Sequence, residues 1–421
     1  MYKKLLSLIS NILFILASMA VGFALIEGSL RIFYPKYQYD ADSSFEKDSA
    51  RIWTNKANFH YVRKHPDSGL PHTVYYNNLA LRQHRNFSGQ DIKSAINLAF
   101  FGDSFTENLR IAAQYSLTEP LDYLLNKQGH RFNVLNLGVD GYGTDQEYLK
   151  YRDFVYSEDL DYVFYVFCEN DLRNIYENNL FTLNEAQELV RNTRAATPWW
   201  IDVLSRLYTT YLILDVVNRF QSDDKRMELD ITAIEQHYQK KNHEKRFHDQ
   251  RADAIDNAFV RGEKSADLDR SVRIFRLLLQ LWSNDVKKNG GKFFVVLLPL
   301  TDEHKAKDLI PDGITVIDLY ELFSNGMENY NYSDWSFKND GHWNEAGNQL
   351  AATYLYRFME EELKLGKIPD DKLKRELNTY YSSFDGWMPD EKYLEKSQVS
   401  AEEKQYIRSR YLGLEEKGEG R

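Results

Sequence analysis

Five short, largely apolar runs constrain the fold of this chain more than any other feature. They are 96–101 (INLAFF), 132–137 (FNVLNL), 162–167 (YVFYVF), 293–298 (FFVVLL) and 314–319 (ITVIDL). Such runs are typical of strands that are buried on both faces. Helix-like sequence lies between them, for example 117–125. Strands that alternate with helices predict a parallel sheet covered by helices on both faces.

The alternation is interrupted by a long stretch without a strand signal, which predicts a helical insertion at about 172–290. Its residues 268–286 form an amphipathic pattern with apolar side chains near one face. The charged stretch 222–270 is typical of a solvated helix. Trp199 and Trp200 are expected to pack the insertion onto the core. The insertion could cap a site or decorate the surface, and the sequence leaves both open.

Residues 5–26 carry no charge and are long enough to cross a bilayer as a helix. Lys3 and Lys4 precede them, which keeps the N-terminus in the cytoplasm and exports the rest. A single-pass anchor is expected, with the main domain on the periplasmic or extracellular side. A cleaved signal peptide is the competing interpretation, because Ser18 and Ala20 are small residues with the spacing of a cleavage site.

The chain therefore divides into four expected parts. They are an anchor at 1–27, a connector at 28–92 without sustained periodicity, an α/β domain at 93–364 that includes the insertion, and a tail at 365–421. The net charge of -10 argues against a nucleic-acid-binding protein. The only cysteine, Cys168, excludes an internal disulfide. His243 and His248 lack the neighbours of a metal site, so neither a metal nor another cofactor is expected.

Ser104 follows the first apolar run in the sequence Gly102-Asp103-Ser104. This position is the carboxyl end of a strand, where open α/β folds bind their ligands. A serine at the start of the next helix could present its hydroxyl as a nucleophile, and its own N–H is one of the unpaired donors of the helix. A simple helix cap is an equally good interpretation of these three residues alone.

Three later segments favour the interpretation of Ser104 as a nucleophile over that of a helix cap. The glycine-rich turn 136–143 follows the second run, and Gly141, with Gly138 as the alternative, could point an N–H at a reacting carbonyl oxygen. Asn170 follows the third run and could add an amide donor. His342 lies between the last run and the last helix, where it could accept the proton of Ser104. Each segment alone is compatible with an ordinary turn or a solvated loop.

Taken in order, these segments resemble the sequence blocks of the SGNH/GDSL hydrolases. The first block is Gly102-Asp103-Ser104-Phe105-Thr106, and Gly141, Asn170 and His342 match the key residues of the others. The resemblance covers about 96–355 without the insertion. It implies a three-layer flavodoxin-like fold, a Ser104 nucleophile and a His342 base. It also implies an oxyanion hole formed by the N–H groups of Ser104 and Gly141 and the amide of Asn170.

Further pieces resemble membrane-anchored bacterial members of the family, namely Leu81-Arg82 and the Glu27 to Arg31 segment.

The chain departs from the family pattern at two positions. Cys168 stands where the third block usually begins with glycine. The usual triad acid lies three residues before the histidine, and that residue here is Asn339. Asp340 is the nearest carboxylate and is expected to orient His342, with Asp334 as a weaker choice. If neither reaches the histidine, the site is a dyad.

The expected function is a serine esterase that removes O-acyl groups, chiefly O-acetyl groups, from cell-envelope glycans through an acyl-serine intermediate. The partners are then the membrane, through residues 5–26, and an acylated carbohydrate. Location and resemblance suggest this substrate class, and no individual residue does. Two alternatives remain: an O-acetyltransferase on exported polysaccharide that uses the same residues, and a non-catalytic, membrane-tethered glycan-binding protein.

Overall fold

The computed structural model describes residues 2–33, 44–69, 71–127, 129, 131–192, 207, 209, 250–298, 303–319 and 334–383. The chain divides into two compact units. The first comprises 1–43 and 194–248, and the second comprises 44–193 and 249–421.

Helix α1 (Tyr2–Phe33) is the main described element of the first unit. Its segment Ser10–Phe33 is apolar enough and long enough to cross a membrane. Apolar side chains such as Phe14 and Leu16 are exposed along it. An N-terminal signal sequence would have the same properties, so the helix fits both interpretations of the apolar run.

One acidic residue of α1 is buried. The carboxylate of Glu27 accepts hydrogen bonds from the backbone N–H of Thr209, at 2.9 Å, and from its hydroxyl, at 3.1 Å. It also accepts one from Nε of Arg31 at 2.9 Å. Part of the predicted insertion therefore contacts the N-terminal helix. The remainder of 193–249, with Trp199, Trp200, His243 and His248, lies outside the described residues.

The second unit contains the sheets. Its strands are β1 (Phe45–Asp48), β2 (Ile52–Asn55), β3 (Phe59–Lys64), β4 (Pro71–Tyr76), β5 (Ile96–Gly102), β6 (Phe132–Asn136), β7 (Tyr162–Phe167), β8 (Phe181–Leu183), β9 (Leu189–Arg191), β10 (Lys292–Leu297) and β11 (Thr315–Asp318). Its helices are α2 (Gly89–Lys93), α3 (Ser104–Glu107), α4 (Thr118–Asn126), α5 (Thr144–Asp153), α6 (Asn170–Asn178), α7 (Gln250–Arg261), α8 (Ala266–Lys288), α9 (Glu303–Leu309), α10 (Glu345–Glu362) and α11 (Asp370–Ser382).

The central sheet has five parallel strands in the order β11-β10-β7-β5-β6. Numbered along the chain, this is the flavodoxin-like order 2-1-3-4-5. All five apolar runs form these strands, within one or two residues of the predicted limits. The predicted flavodoxin-like fold with a central parallel sheet is confirmed, and it is the fold that the resemblance to the SGNH/GDSL hydrolases implies.

Helices cover both faces of the sheet. On one face Phe100, Phe164 and Phe294 of adjacent strands stack on one another, and this row belongs to the core formed with α4, α10 and α11. On the other face Trp282 of α8 is fully buried, and its ring lies 5.3 Å from that of Phe101. The alternation of side chains along each strand supplies these two apolar surfaces, which gives three layers.

The connector contains structure that the sequence analysis missed. β1 pairs with β2 and β3 pairs with β4, each as an antiparallel hairpin. These strands are only four to six residues long, and β3 contains no fully buried residue, so the local sequence carries little strand signal. Pairing with the neighbouring strand, and not a strong local pattern, stabilises such strands.

The insertion and the tail also contribute to the sheet unit. The predicted insertion is not wholly helical, because β8 and β9 pair within it as a short antiparallel hairpin that the local sequence does not signal. Helix α8 extends the predicted 268–286 by two residues at each end, and Ser265 caps it by accepting a hydrogen bond from the N–H of Leu268. In the tail, Leu373 and Leu377 of α11 are buried in the core on the α4 face. Residues 384–421 lie outside the described part of the chain. The domain limits given above stay a prediction.

Candidate active site

Ser104 is the first residue of the short helix α3, immediately after the carboxyl end of β5. A side chain at Gly102 would come within 2.9 Å of the carbonyl oxygen of Val166 on the neighbouring strand, so the tight turn requires glycine there. Asp103 caps α3, and its side chain accepts a hydrogen bond from the N–H of Phe105 at 3.0 Å. Because Asp103 is the cap, the hydroxyl of Ser104 is not used for capping.

His342 contacts Ser104 although 238 positions of the chain separate them. Its Nε2 lies 2.8 Å from Oγ of Ser104. The backbone of its loop is held by a hydrogen bond from the N–H of Phe337 to the carbonyl of His342 at 2.8 Å, and by a bridge between Ser336 and Trp343. The ring of Phe105 stacks on the imidazole, with centroids 4.7 Å apart. The structure thus brings the predicted nucleophile and base within hydrogen-bonding distance.

Asp340 contacts the other ring nitrogen of the histidine, because Nδ1 of His342 is hydrogen-bonded to Oδ1 of Asp340. Burial acts to raise the pKa of Asp340. The hydrogen bond from His342 and the adjacent Arg110 guanidinium outweigh it and hold the pKa well below its usual range. The carboxylate is therefore ionised at neutral pH and can stabilise a protonated imidazole.

The two other positions weighed for the acid lie elsewhere. Asn339 and Asp334 are both exposed. The described contact of Asp334 is made by its backbone carbonyl, which accepts a hydrogen bond from the Asn344 amide at 3.3 Å. Of the candidate residues, Ser104, His342 and Asp340 form a continuous chain of hydrogen bonds, and Asp334 does not take part in it.

The two candidate donors in the glycine turn after β6, the N–H groups of Gly138 and Gly141, differ in whether they are already hydrogen-bonded. The N–H of Gly138 donates to Oδ1 of Asn136 at 3.1 Å, and a side chain at Gly138 would lie 2.3 Å from the backbone nitrogen of Glu107. Gly138 is thus required for packing and its N–H is already bonded. Gly141 has φ +79°, and among the described residues no acceptor binds its N–H. Gly141 is the donor available to a ligand.

Asn170 begins α6, and its Nδ2 donates to Oδ2 of Asp103 at 3.1 Å. The same oxygen lies 3.3 Å from Oγ of Ser104, whereas Nε2 of His342 lies at 2.8 Å and is the nearer acceptor for the single hydroxyl hydrogen. Burial raises the pKa of Asp103. An amide nitrogen carries two hydrogens. Asp103 therefore fixes the orientation of Asn170 beside Ser104 and leaves the second hydrogen for a ligand.

Cys168, which stands where the third sequence block of the SGNH/GDSL hydrolases usually begins with glycine, is buried at the carboxyl end of β7. Its N–H donates to Oδ2 of Asp171 at 3.1 Å. Burial raises the pKa of its thiol well above the usual value, so it is a thiol and not a reactive thiolate at neutral pH. The replacement leaves Asn170 in place at the start of the helix.

A buried residue of the connector supports the histidine loop, and the sequence analysis missed it. Nε2 of His65 lies 3.1 Å from Oε1 of Glu345, the residue that begins α10. Nδ1 of His65 accepts hydrogen bonds from the N–H groups of Asp67 and Ser68, so Nε2 carries the proton and donates to Glu345. No local pattern marks His65, because its partner lies 280 positions away in the chain.

Helix α5, which follows the glycine turn, has an unusual buried face that includes Asp145, Glu147 and Lys150. Burial raises the pKa of Asp145 to about 7 and lowers the pKa of Lys150 to about 7. Oδ1 of Asp145 accepts hydrogen bonds from the Asn178 amide, at 3.1 Å, and from the N–H of Gln146, at 2.9 Å. Among the described residues, Oδ2 of Asp145 has no hydrogen-bond partner.

We predict that replacing Asp145 with asparagine makes the stability of the protein less dependent on pH. The carboxyl titrates near 4 when unfolded and at about 7 when folded. Its contribution to stability is complete below pH ~4 and is lost as the pH rises through 7, by at most about 4 kcal/mol. Thermal unfolding of the detergent-solubilised full chain between pH 5 and 8 measures the difference between the two proteins. Equal slopes of Tm against pH would contradict the prediction.

No protein-family model matches the chain, and no curated protein matches it. Several solved structures are similar. One is a G-D-S-L family lipolytic protein from Desulfitobacterium hafniense, with 11% identity, 62% of this chain and 98% of that chain covered, and a TM-score of 0.33. Another is an alpha/beta hydrolase enzyme from the metagenome of Lake Arreo, with 13% identity, 66% and 100% covered, and a TM-score of 0.36.

A third similar structure is an acetyl xylan esterase, with 14% identity, 62% of this chain and 99% of that chain covered, and a TM-score of 0.31. The identities and TM-scores of all three are low. The chemistry of the site must therefore be judged from its own geometry.

Proposed function

We propose that this chain is a serine-dependent ester hydrolase with Ser104 as its nucleophile. One observation carries the proposal: Oγ of Ser104 and Nε2 of His342 are 2.8 Å apart, and Asp340 contacts the opposite nitrogen of the same ring. A base that is hydrogen-bonded to the serine hydroxyl and oriented by a carboxylate activates that hydroxyl as a nucleophile at neutral pH.

In the first step His342 accepts the proton of the Ser104 hydroxyl at Nε2 while Oγ attacks the carbonyl carbon of the ester. The imidazole becomes positively charged, and the ionised Asp340 stabilises that charge and keeps the Nδ1 proton in place. The carbonyl π bond opens and its electron pair moves to the oxygen. The result is a tetrahedral adduct on Ser104 with a negative oxygen.

The negative oxygen of the adduct requires donors that are already in place. We assign this role to the N–H groups of Ser104 and Gly141 and to the second hydrogen of the Asn170 amide. The backbone N–H groups of Ser104 and Gly141 have no acceptor among the described residues. Donors fixed in advance are effective because they need not reorganise when the charge develops, and one of them is typically worth about 3 kcal/mol.

The adduct then collapses. The bond to the alcohol oxygen breaks, the leaving alcohol takes the proton from Nε2 of His342, and an acyl group remains on Ser104. A water molecule, deprotonated by the same histidine, attacks the acyl carbon, and the acid is released with Ser104 restored. An acyltransferase would use the same intermediate with a sugar hydroxyl in place of water.

Covalent labelling tests this proposal. A fluorophosphonate should modify the full chain in detergent at a single residue, and mass spectrometry should locate the adduct on the peptide that contains Ser104. Prior unfolding of the protein should prevent the labelling, because the hydroxyl is activated only when His342 is adjacent. Labelling at another serine, or none on the folded protein, would contradict the proposal.

The natural substrate is proposed to be an O-acyl group, chiefly O-acetyl, on a cell-envelope glycan. This proposal rests on the resemblance of the site blocks and on helix α1, which contains a segment able to cross a membrane. Lys3 and Lys4 precede that segment, so the sheet unit would lie on the outer side. Release of acetate into water, without transfer to an added sugar, is expected if hydrolysis is the main reaction.

Retention of α1 as an anchor has its own test. We predict that the mature protein from membranes keeps residues 5–26, because the apolar run continues through Ile26 beyond the small residues Ser18 and Ala20. N-terminal sequencing or intact mass of the membrane fraction measures this. A mature chain that begins near Val21 would show that the helix is a cleaved signal.

A further inference from the structure

Arg110 lies close behind the proposed catalytic residues and was not identified from the sequence. It follows α3 by three residues, and its side chain is 4% exposed. Its Nε donates to Oδ1 of Asp340 at 2.8 Å, and this is the oxygen that is bonded to Nδ1 of His342. A single carboxylate oxygen is therefore shared between a buried arginine and the histidine.

The same guanidinium faces a second carboxylate. Nη1 of Arg110 lies 3.8 Å from Oδ2 of Asp140, which directly precedes Gly141. The N–H of Asp140 donates to Oε2 of Glu107 at 2.5 Å, and Glu107 is the last residue of α3. Arg110 thus lies between the loop that carries the histidine and the turn that carries the proposed oxyanion donor Gly141.

The position of Asp340 explains why such a contact is needed. The carboxylate lies only two residues before His342, in a loop, and its side chain is 24% exposed. In that setting a free carboxylate would sample several rotamers and hydrate. A charge-assisted hydrogen bond from a buried guanidinium restricts it to one orientation, because the planar group donates in a fixed direction.

We infer that Arg110 is a positioning residue of this site: its hydrogen bond to Asp340 holds that carboxylate against His342, and its guanidinium forms a longer ion pair with Asp140 beside the glycine turn. The inference rests on the proposed function. The hydrogen bond that Arg110 makes in this site goes to Asp340 and not to a reacting atom, so its effect on turnover must pass through Asp340. The charged or titratable groups around the hydrogen-bonded pair of Asp340 and His342 are Arg110, Asp140 and Asp103.

The inference predicts a loss of turnover when the guanidinium is removed. Arg110→Met should lower kcat on a chromogenic acetyl ester by about 10²-fold, because small displacements of a catalytic group have effects of this size. KM should change little, because Arg110 does not contact the substrate. Arg110→Lys should recover part of the loss, since it restores the charge without the planar geometry. The acid limb of the kcat/KM profile should move to higher pH, because a cation beside Asp340 and His342 has been removed.

A double-mutant cycle separates positioning from a general structural role. In an Asp340→Asn background, Arg110→Met should change kcat by less than about threefold, because the group through which it acts is already lost. An equal loss in both backgrounds would overturn the inference. If Arg110→Met does not fold, as judged by thermal unfolding, Arg110→Lys alone decides: it should be folded and slower than wild type, and full activity would overturn the inference.

Arg357→Met is the matched control. Arg357 of α10 is a partly buried arginine that also bridges two carboxylates at 2.5 Å each. They belong to Glu360 of the same helix and to Asp370, the first residue of α11. Its removal should leave kcat and the pH profile unchanged. If wild type has no esterase activity and no label at Ser104, the proposed function fails. If wild type is active and Arg110→Met equals it, only the role of Arg110 fails.

Discussion

Replacing Ser104 with alanine is expected to lower the rate of acetyl-ester hydrolysis by about 10⁶-fold, to the background of the assay. The physical reason is that no other nucleophile replaces Oγ at 2.8 Å from Nε2 of His342. Initial rates on a chromogenic acetyl ester, measured with the full chain in detergent, test this result. The variant should remain folded, because the change removes a single oxygen atom.

Ser283→Ala is the matched control for this variant. Ser283 is also a buried serine, on α8, and its hydroxyl has no hydrogen-bond partner among the described residues. Its replacement should leave the rate within about twofold of wild type, since surplus hydroxyls contribute little. Equal rates for Ser104→Ala and wild type would eliminate the acyl-serine mechanism and favour a protein that only binds glycans.

Replacing Asp340 with asparagine should have the second largest effect, a fall in kcat of about 10⁴-fold. An amide cannot stabilise the imidazolium that forms when His342 takes the serine proton. Its NH₂ group would also donate to Nδ1 and so place the ring proton on Nε2, the nitrogen that must accept from Ser104. Steady-state kinetics and fluorophosphonate labelling rates of the variant measure the loss.

Asn339 provides the control, because it stands where the SGNH/GDSL hydrolases usually have the triad acid. Asn339→Asp alone should leave the rate nearly unchanged, and adding it to Asp340→Asn should not restore activity, since Nδ1 of His342 is bonded to residue 340 and not to residue 339. An Asp340→Asn enzyme within about tenfold of wild type would mean that the site works as a Ser-His dyad.

Much of the fold could be predicted because its signals are local. The sheet strands are largely apolar runs such as 162–167, and burial of a strand on both faces favours such a run whatever the partner strand. Amphipathic helices and caps are equally local, as at Asn344, whose side chain accepts from the N–H of Gly347 at the start of α10. The hairpins of the connector were missed because short, half-buried strands carry little signal of their own.

The three-layer α/β fold and the order of the site segments along the chain follow from the amino-acid pattern alone. Each segment follows a strand or begins a helix, and parallel strands bring their carboxyl ends to one edge of the sheet. Ser104, Gly141, Asn170 and His342 could therefore be named as candidates before any coordinates.

The groups that complete the site could be identified only from the folded chain. It placed Asp340 rather than Asp334 on His342, showed that the N–H of Gly138 is already bonded, and brought Arg110 to Asp340 across 230 positions of chain. Contacts of this kind depend on side-chain rotamers and on the packing of distant loops. No local pattern of residues encodes them, because each is set by the whole of the surrounding core.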